Sequence, residues 1–178
     1  HCCIQAGTVI GSEAFYFKAR PWGREKMQSV GQVVIEDHVD IGSNCSIDRG
    51  VSAETRIGEY TKIDNLVQVG HDTLIGKRCV IASQVGIAGC VIIEDEVSLW
   101  GQVGVVQNLT IGKGANLIGK TGVMSDLAGG RAYGGMQVST SSMLLTQLLL
   151  LSHSQVNLLL TMVISTESEL TTAWVQTK

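Results

Sequence analysis

A six-residue period runs through most of this sequence, and it constrains the fold more than any other feature. From Ile57 to Val123 every sixth residue is aliphatic, without a gap. The twelve positions are Ile57, Ile63, Val69, Ile75, Ile81, Ile87, Ile93, Leu99, Val105, Ile111, Leu117 and Val123. The same register occurs earlier at Ile4, Ile10, Ile35, Ile41 and Ile47. Neither an α-helix nor an ordinary strand has a period of six, so the pattern indicates a repeat architecture.

Each repeating unit contains a second residue suited to a narrow core. Two positions before most of the aliphatic residues lies a small or β-branched side chain. These residues are Thr55, Thr61, Val67, Thr73, Cys79, Val85, Val91, Val97 and Val103. A glycine often follows the aliphatic residue, as at Gly58 and Gly70, and we expect it to permit a left-handed corner. Three such units predict an 18-residue triangular coil, with coils stacked about 4.8 Å apart through parallel ladders.

Two segments interrupt the period. Ile47 and Ile57 are ten positions apart, which predicts a four-residue insertion in one coil. Residues 12–30 form a longer excursion that contains both phenylalanines and four cationic residues, and such excursions from a regular scaffold often carry function. We therefore predict an all-β domain over residues 1–135, with residues 12–30 as an excursion loop.

Residues 136–178 have a different character. Between Met143 and Ile164 the sequence is leucine-rich, carries no formal charge and is nearly long enough to cross a bilayer. Polar residues such as Gln147 and Asn157 interrupt it. We expect a partly helical tail that packs on the β-helix or on a neighbouring subunit, and no membrane span.

Charge and cysteine content narrow the partners and the compartment. A net charge of −3 gives no reason to expect nucleic acid. Five cysteines, an odd number, argue against a disulfide framework and favour a reducing compartment such as the cytoplasm. Cys45 and Cys79 occupy core positions of the repeat, and no cysteine has the sequence neighbours of a nucleophile or a zinc site. The chain begins at His1 without a signal peptide, which favours a fragment of a longer protein.

His71 is the candidate general base, because it is the one histidine inside the long regular run. One coil later comes Gly89, where a ligand could approach the backbone and the amide could stabilise an oxyanion. A base beside a backbone donor suits attack of an amine on a thioester. Asp64 or Asn65 could orient the imidazole or the acceptor. The period alone is equally compatible with a solvated surface histidine.

Five short segments carry a more specific signal than the period. They are Gln5-Ala6-Gly7-Thr8-Val9-Ile10-Gly11, Ser46-Ile47-Asp48-Arg49-Gly50, Ile63-Asp64-Asn65, Val69-Gly70-His71-Asp72 and Gly101-Gln102-Val103-Gly104. Together they resemble bacterial UDP-3-O-acylglucosamine N-acyltransferases of lipid A synthesis, with a likeness running from about residue 4 to 135. The resemblance implies a left-handed parallel β-helix and a homotrimer with active sites between subunits.

The resemblance also implies a reaction. His71 would deprotonate the 2-amine of UDP-3-O-acylglucosamine, and Gly89 would supply the oxyanion amide. The donor would be a 3-hydroxyacyl chain on acyl carrier protein, so phosphopantetheine would arrive with the donor. No metal or permanently bound cofactor is expected. Predicted substrate-binding residues are Asn65, Asn108, Arg49, Gln102 and Phe15.

The sequence departs from the family at several points. Asn108 stands where a second histidine is often found, and it can donate a hydrogen bond but cannot titrate. The excursion reads Ser-Glu-Ala-Phe-Tyr-Phe from residue 12, where Asp-Gly-Phe-Gly is expected. The family's uridine-recognising N-terminal domain is not contained in this sequence.

Two other functions remain open from the sequence. One is another hexapeptide acyltransferase that uses acyl-CoA with a sugar or amino-acid acceptor. The other is a non-catalytic trimeric scaffold, which Asn108 and the unusual tail would favour. A zinc-dependent carbonic anhydrase would need about three histidine ligands in register, and the regular run contains only His71. The cationic excursion, with Arg49, could receive an acidic carrier protein.

Overall fold

The computed structural model describes residues 1–135, which form a β-helix of stacked coils. Strands alternate with short corners, and no helix occurs in this range. In chain order the strands are β1 (Cys3–Ile4), β2 (Val9–Ser12), β3 (Phe17–Arg20), β4 (Gly23–Lys26), β5 (Gln32–Ile35), β6 (Asp40–Ile41), β7 (Ser46–Asp48), β8 (Glu54–Ile57), β9 (Lys62–Ile63), β10 (Gln68–Val69), β11 (Leu74–Ile75), β12 (Val80–Ile81), β13 (Gly86–Ile87), β14 (Ile92–Ile93), β15 (Ser98–Leu99), β16 (Gly104–Val105), β17 (Thr110–Ile111), β18 (Asn116–Leu117), β19 (Gly122–Val123) and β20 (Ala132–Tyr133).

Three parallel sheets form the sides of the β-helix. The first sheet has the order β1-β6-β9-β12-β15-β18-β20, the second β2-β7-β10-β13-β16-β19, and the third β5-β8-β11-β14-β17. From β5 to β19 each coil contributes one strand to each sheet in turn, so every third strand returns to the same side. The predicted fold class, a parallel β-helix of hexapeptide repeats, is confirmed.

The register of the ladders shows both interruptions of the period. Lys62 pairs with Val80 and Val80 with Ser98, in each case 18 positions on. Asp40 pairs with Lys62, 22 positions on, because the predicted four-residue insertion is looped out. Cys3 pairs with Asp40, 37 positions on, because residues 12–30 leave the coil. Both predicted insertions are therefore present.

The core consists of thin layers of aliphatic side chains. All twelve residues of the six-residue period from Ile57 to Val123 are at most 4% exposed. The small residues two positions earlier are buried as well, and the hydroxyls of Thr61 and Thr73 donate to the carbonyls of Gly76 and Ala88 at 2.8 and 3.1 Å. Cys45 and Cys79 pack in this core, as predicted. Ile4 and Ile10 are in register but exposed, because no coil of the described chain covers them.

The corners differ from the sequence prediction. In the regular run from Ile57 to Val123, the left-handed residue is the third after the core aliphatic position, and the glycines that directly follow that position, such as Gly58 and Gly70, do not adopt this conformation. Twelve non-glycine residues of the described chain have positive φ: His38, Asn44, Tyr60, Leu66, Asp72, Arg78, Gln84, Cys90, Glu96, Gln102, Asn108 and Lys120. Gly70 serves a different purpose, because a Cβ there would lie 2.6 Å from the Ala88 carbonyl carbon of the next coil.

The excursion at residues 12–30 contains the antiparallel hairpin of β3 and β4. Its two ends are tied together at Ala14 and Ser29, both buried, by the Ala14 N–H donating to the Ser29 hydroxyl at 3.1 Å. The Ser29 N–H in turn donates to the Glu13 carboxylate at 3.2 Å. The base of the hairpin is thereby fixed beside the second sheet.

The predicted tail, residues 136–178, lies outside the described residues, so its helix stays a prediction. Across residues 1–135, nothing has the helical length and hydropathy needed to cross a bilayer.

Candidate active site

The candidate site lies where the second sheet turns into the third, beside the excursion. A cavity of about 580 Å³ opens there. Glu13 and Phe15 of the excursion form one wall, and residues of successive coils, including Asp48, His71 and Gly89, form the other. The cavity therefore brings together segments that are far apart in sequence, because the coils stack.

His71 is held by the residue that follows it. Its Nδ1 lies 2.8 Å from Oδ2 of Asp72. A carboxylate can only accept, so the proton of the neutral ring is placed on Nδ1. Nε2 then keeps its lone pair, as a general base requires. The left-handed backbone of Asp72, with φ 54°, is part of the local conformation in which this contact forms.

Asp72 is itself anchored by backbone groups of the inserted loop. Its carboxylate accepts the N–H of Val51 at 2.9 Å and that of Ala53 at 3.3 Å. Partial burial is the largest single influence on this carboxyl and acts to raise its pKa. The Val51 N–H, the His71 ring and the Ala53 N–H outweigh it together, and the pKa of Asp72 is lowered. Asp72 is thus ionised at neutral pH.

Gly89 lies directly against the imidazole. A Cβ at this position would be 2.5 Å from Nε2 of His71 and 2.7 Å from Cε1, closer than atoms can pack. The Gly89 carbonyl accepts the Asn108 N–H at 3.3 Å, whereas the Gly89 N–H donates to no acceptor within residues 1–135. The candidate base His71 and the unpaired N–H of Gly89 therefore lie beside the same cavity.

Asp48 is a carboxyl in the cavity wall, and it is not among the site residues predicted from the sequence. It is 7% exposed and accepts a hydrogen bond from Nε2 of Gln68 at 3.1 Å. Burial raises the pKa of Asp48, although the Gln68 hydrogen bond and the charge of His71 oppose the rise. The segment from Ser46 to Gly50, which contains Asp48, carries the family resemblance, but the residue predicted there to bind substrate is Arg49.

The excursion lines the site with aromatic side chains. The ring of Tyr16 is centred 6.0 Å from that of His71, and Phe15 packs edge-on against Phe17 at 5.0 Å. Next to the cavity, an open groove of about 550 Å³ runs over Gly86 and Gly104 and shares Gln68 with it. A long apolar group could therefore extend from the cavity along the second sheet.

Three of the predicted site residues, His71, Gly89 and Phe15, meet in the cavity. Asn108 stacks one coil beyond Cys90, and its N–H donates to the Gly89 carbonyl, so it lies next to the cavity but outside its lining. Arg49 lies beside the cavity, and its Nε donates to the Gly11 carbonyl at 2.8 Å. This hydrogen bond links the start of the excursion, at Gly11, to the corner that contains Arg49.

Asp64, Asn65 and Gln102 lie at a different corner, where the first sheet turns into the second. Asp64 accepts from Asn65, and Asn65 accepts the Ser43 N–H at 2.7 Å. Gln102 donates to Gln84 at 2.6 Å. Within one chain Asp64 does not contact the imidazole, because β10 separates the two corners and Asp72 makes the contact. A role of Asp64 or Asn65 towards the acceptor stays a prediction.

The stacked coils of six-residue units define the class of the chain as a hexapeptide-repeat β-helix. The family model described as "Bacterial transferase hexapeptide (six repeats)" matches residues 54–89. Among solved structures, the chain is similar to a UDP-N-acetylglucosamine acyltransferase of Francisella novicida. That match has a TM-score of 0.68 and 27% identity, and covers 76% of this chain and 48% of the other.

The predicted resemblance to UDP-3-O-acylglucosamine N-acyltransferases is confirmed by curated relatives of that name. The chain is 51% identical to the one from Methylobacterium nodulans over 96 residues, which is 54% of this chain and 27% of the relative. It is 54% identical to the one from Rhizobium meliloti over 87 residues, 48% of this chain and 25% of the relative. The matched segment thus spans about a quarter of the length of these relatives.

Proposed function

We propose that this chain carries the catalytic β-helix of an N-acyltransferase. It would move a 3-hydroxyacyl chain from acyl carrier protein to the 2-amine of UDP-3-O-acylglucosamine in lipid A synthesis. The names of the curated relatives support the reaction class. The observation that carries the proposal is the His71 imidazole, held at Nδ1 by Asp72 and packed at Nε2 against Gly89.

In the proposed reaction, Nε2 of His71 accepts a proton from the acceptor amine as the amine nitrogen attacks the thioester carbonyl. The new carbon–nitrogen bond leaves negative charge on the carbonyl oxygen, and the Gly89 N–H stabilises it. The carbon–sulfur bond then breaks, and the proton on Nε2 passes to the departing phosphopantetheine sulfur. Asp72 stabilises the imidazolium that exists between the two transfers.

The cavity and groove fit an acyl donor. Gly86 and Gly104 leave the outer surface of the second sheet open, since a Cβ at either would contact nothing within 4 Å. Val106 adds apolar surface along the same groove. A hydrocarbon chain lying there would remove apolar surface from water.

Cationic residues of the excursion support an acidic carrier protein as the partner. Lys18, Arg24 and Lys26 lie on the exposed hairpin of β3 and β4, and Arg20 is paired with Glu25 at 2.6 Å. An exposed cationic hairpin beside the cavity would attract an acidic carrier and guide its thioester to His71. The free state of all five cysteines supports a reducing compartment, and we place the reaction in the cytoplasm.

We also propose a homotrimer with sites between subunits. Apolar side chains project outward from the third sheet, as Leu74 and Ile92 do, and would be buried against neighbouring subunits. In that assembly the corner of Asp64 and Asn65 would bind the acceptor from a neighbouring subunit. Gln102 would join it there.

The donor class is the sharpest test of this proposal. The purified chain is incubated with UDP-3-O-acylglucosamine and either 3-hydroxyacyl carrier protein or the matching acyl-CoA, and the amide product is measured by mass spectrometry. We expect product from the carrier-linked donor. Product from acyl-CoA alone would replace the proposal with a CoA-dependent acyltransferase. Binding of both substrates without transfer would favour the scaffold.

A further inference from the structure

Three metal-ligating side chains meet beside the candidate base. A ring nitrogen of His71, a carboxylate oxygen of Asp72 and the Cys90 sulfur all lie within 4.8 Å of one another. The sequence gives no sign of this cluster, because Cys90 is 18 positions from Asp72. Stacking brings the two to equivalent corner positions of consecutive coils.

The backbone fixes this cluster without a metal. Asp72 and Cys90 both adopt the left-handed conformation, with φ of 54° and 60°. The Cys90 N–H donates to the His71 carbonyl at 2.8 Å, which joins the two coils at this point. Asp72 is held further by Val51 and Ala53. The three ligands therefore need only side-chain rotation to converge on one ion.

The donor set selects the kind of ion. Imidazole nitrogen, thiolate and carboxylate are ligands of Zn²⁺, whereas Mg²⁺ and Ca²⁺ take oxygen ligands. Tetrahedral Zn²⁺ separates its ligands by about 3.3–3.6 Å. The 2.8 Å pair of His71 and Asp72 would open slightly, and the sulfur would move inward.

Charge and access also suit a divalent cation. Within residues 1–135, no lysine or arginine forms an ion pair with Asp72. Cys90 is exposed, so an ion can reach the cluster from solvent. One carboxylate and one thiolate would balance the charge of Zn²⁺.

We propose that His71, Asp72 and Cys90 form a Zn²⁺ site that inhibits the enzyme. The inhibitory consequence rests on the proposed acyl transfer, whereas the metal site itself does not. Zn²⁺ on Nδ1 would displace Asp72 and leave the ring proton on Nε2. Zn²⁺ on Nε2 would occupy the lone pair directly. In both cases His71 can no longer accept a proton from the amine.

Calorimetric titration with ZnCl₂ tests the site directly. Since His1, Cys2 and Cys3 are potential ligands at the chain terminus, the reference protein carries Cys2→Ala and Cys3→Ala. We expect one ion per chain in this reference and at least tenfold weaker binding after the further change Cys90→Ala. Thermal unfolding checks that both proteins fold. Equal binding with and without Cys90 would overturn the site.

Cobalt spectroscopy gives a second readout of the ligands. Co²⁺ bound in place of Zn²⁺ should show a thiolate-to-metal absorption band in the reference protein and lose it with Cys90→Ala. A band that persists in the absence of Cys90 would contradict the assignment of the sulfur ligand.

An activity assay tests the inhibitory role. Zn²⁺ should inhibit acyl transfer by the reference protein, a chelator should restore it, and Cys90→Ala should keep its metal-free activity while losing sensitivity by at least tenfold. Tight Zn²⁺ binding without inhibition would overturn the regulatory role alone. If the chain transfers no acyl group at all, the proposed function fails, and the calorimetric and cobalt results still decide the metal site.

Discussion

The imidazole of His71 packs so closely on Gly89 that a single methyl group at position 89 would lie 2.5 Å from Nε2. The two residues belong to consecutive coils, and Gly70 on the same corner also requires close approach of the next coil. The position of the candidate base thus depends on a glycine 18 positions later in the sequence.

Gly89→Ala should therefore disable the site while the β-helix stays intact. The added methyl group would push the ring away from the amide that the oxyanion needs, and we expect a loss of at least about 10²-fold in kcat. Gly122→Ala is the matched control, since a Cβ there would contact nothing within 4 Å. Equal activity of the two variants would argue against the packing of His71 on Gly89.

Asp72→Asn should lower activity through the tautomer of His71. An amide that donates to Nδ1 would leave the ring proton on Nε2, where it blocks proton acceptance. We expect a fall of at least about 10²-fold in kcat, since the corresponding change in a serine protease triad costs about 10⁴-fold. Asp64→Asn, at the corner proposed to bind the acceptor, should raise the KM for the acceptor but cost much less in kcat when assayed in parallel. A larger loss of kcat for Asp64→Asn than for Asp72→Asn would favour Asp64 as the residue that orients the imidazole.

Asp48→Asn should stabilise the protein at neutral pH. The raised pKa of Asp48 means that the fold disfavours the charged form, so this carboxyl makes the protein less stable as pH rises above the ordinary value of 3.8. The amide removes that pH dependence and can still accept the Gln68 hydrogen bond. Urea unfolding should show an advantage of the variant near pH 7 that disappears below pH 3.8. An advantage that grew at low pH would have the wrong sign.

Two neighbours on β12 should differ sharply in their contribution to stability. Ile81 is 1% exposed and points into the core, whereas Val80 is 41% exposed on the outer face. Ile81→Ala should lower the free energy of unfolding by about 2–5 kcal/mol, because it leaves a cavity that the thin layers fill poorly. Val80→Ala should change it by less than about 1 kcal/mol. Urea denaturation of both variants provides the measurement.

Charge reversal on the excursion should weaken use of the carrier-linked donor. Lys18→Glu with Arg24→Glu should raise the KM for acyl carrier protein about tenfold at low salt, and less at high salt, because the attraction is screened. The KM for a free acyl-phosphopantetheine donor should not change. Lys113→Glu with Lys120→Glu, away from the hairpin, makes the same change in total charge and serves as the control. An equal effect of both changes would remove the excursion from donor binding.

Much of the fold could be predicted from the sequence because every coil repeats the same environment. The six-residue period predicted each buried layer from Ile57 to Val123, and breaks in the period located both insertions. The 18-residue offset likewise placed Gly89 against His71. The same rule could have excluded Asp64, since residues six or seven positions apart lie at different corners of one coil.

Other features required the structure itself. Asp72 contacts the imidazole from a corner position where its backbone φ is 54°. The repeat shows no preference for residue type at this position, since Leu66 and Gln84 occupy it in other units. Burial of Asp48 depends on the path of the excursion, which has no period. The six-residue period therefore gives no signal for either carboxyl, although both lie in segments that carry the family resemblance.

The rate of acyl transfer by His71→Ala decides whether His71 acts as the general base. We expect a fall of at least about 10²-fold in kcat, with folding intact by thermal unfolding. The control variant His38→Ala, which removes a histidine that stacks on Tyr60 at a distant corner, should transfer at the wild-type rate. Undiminished acyl transfer by His71→Ala would show that His71 is not the general base.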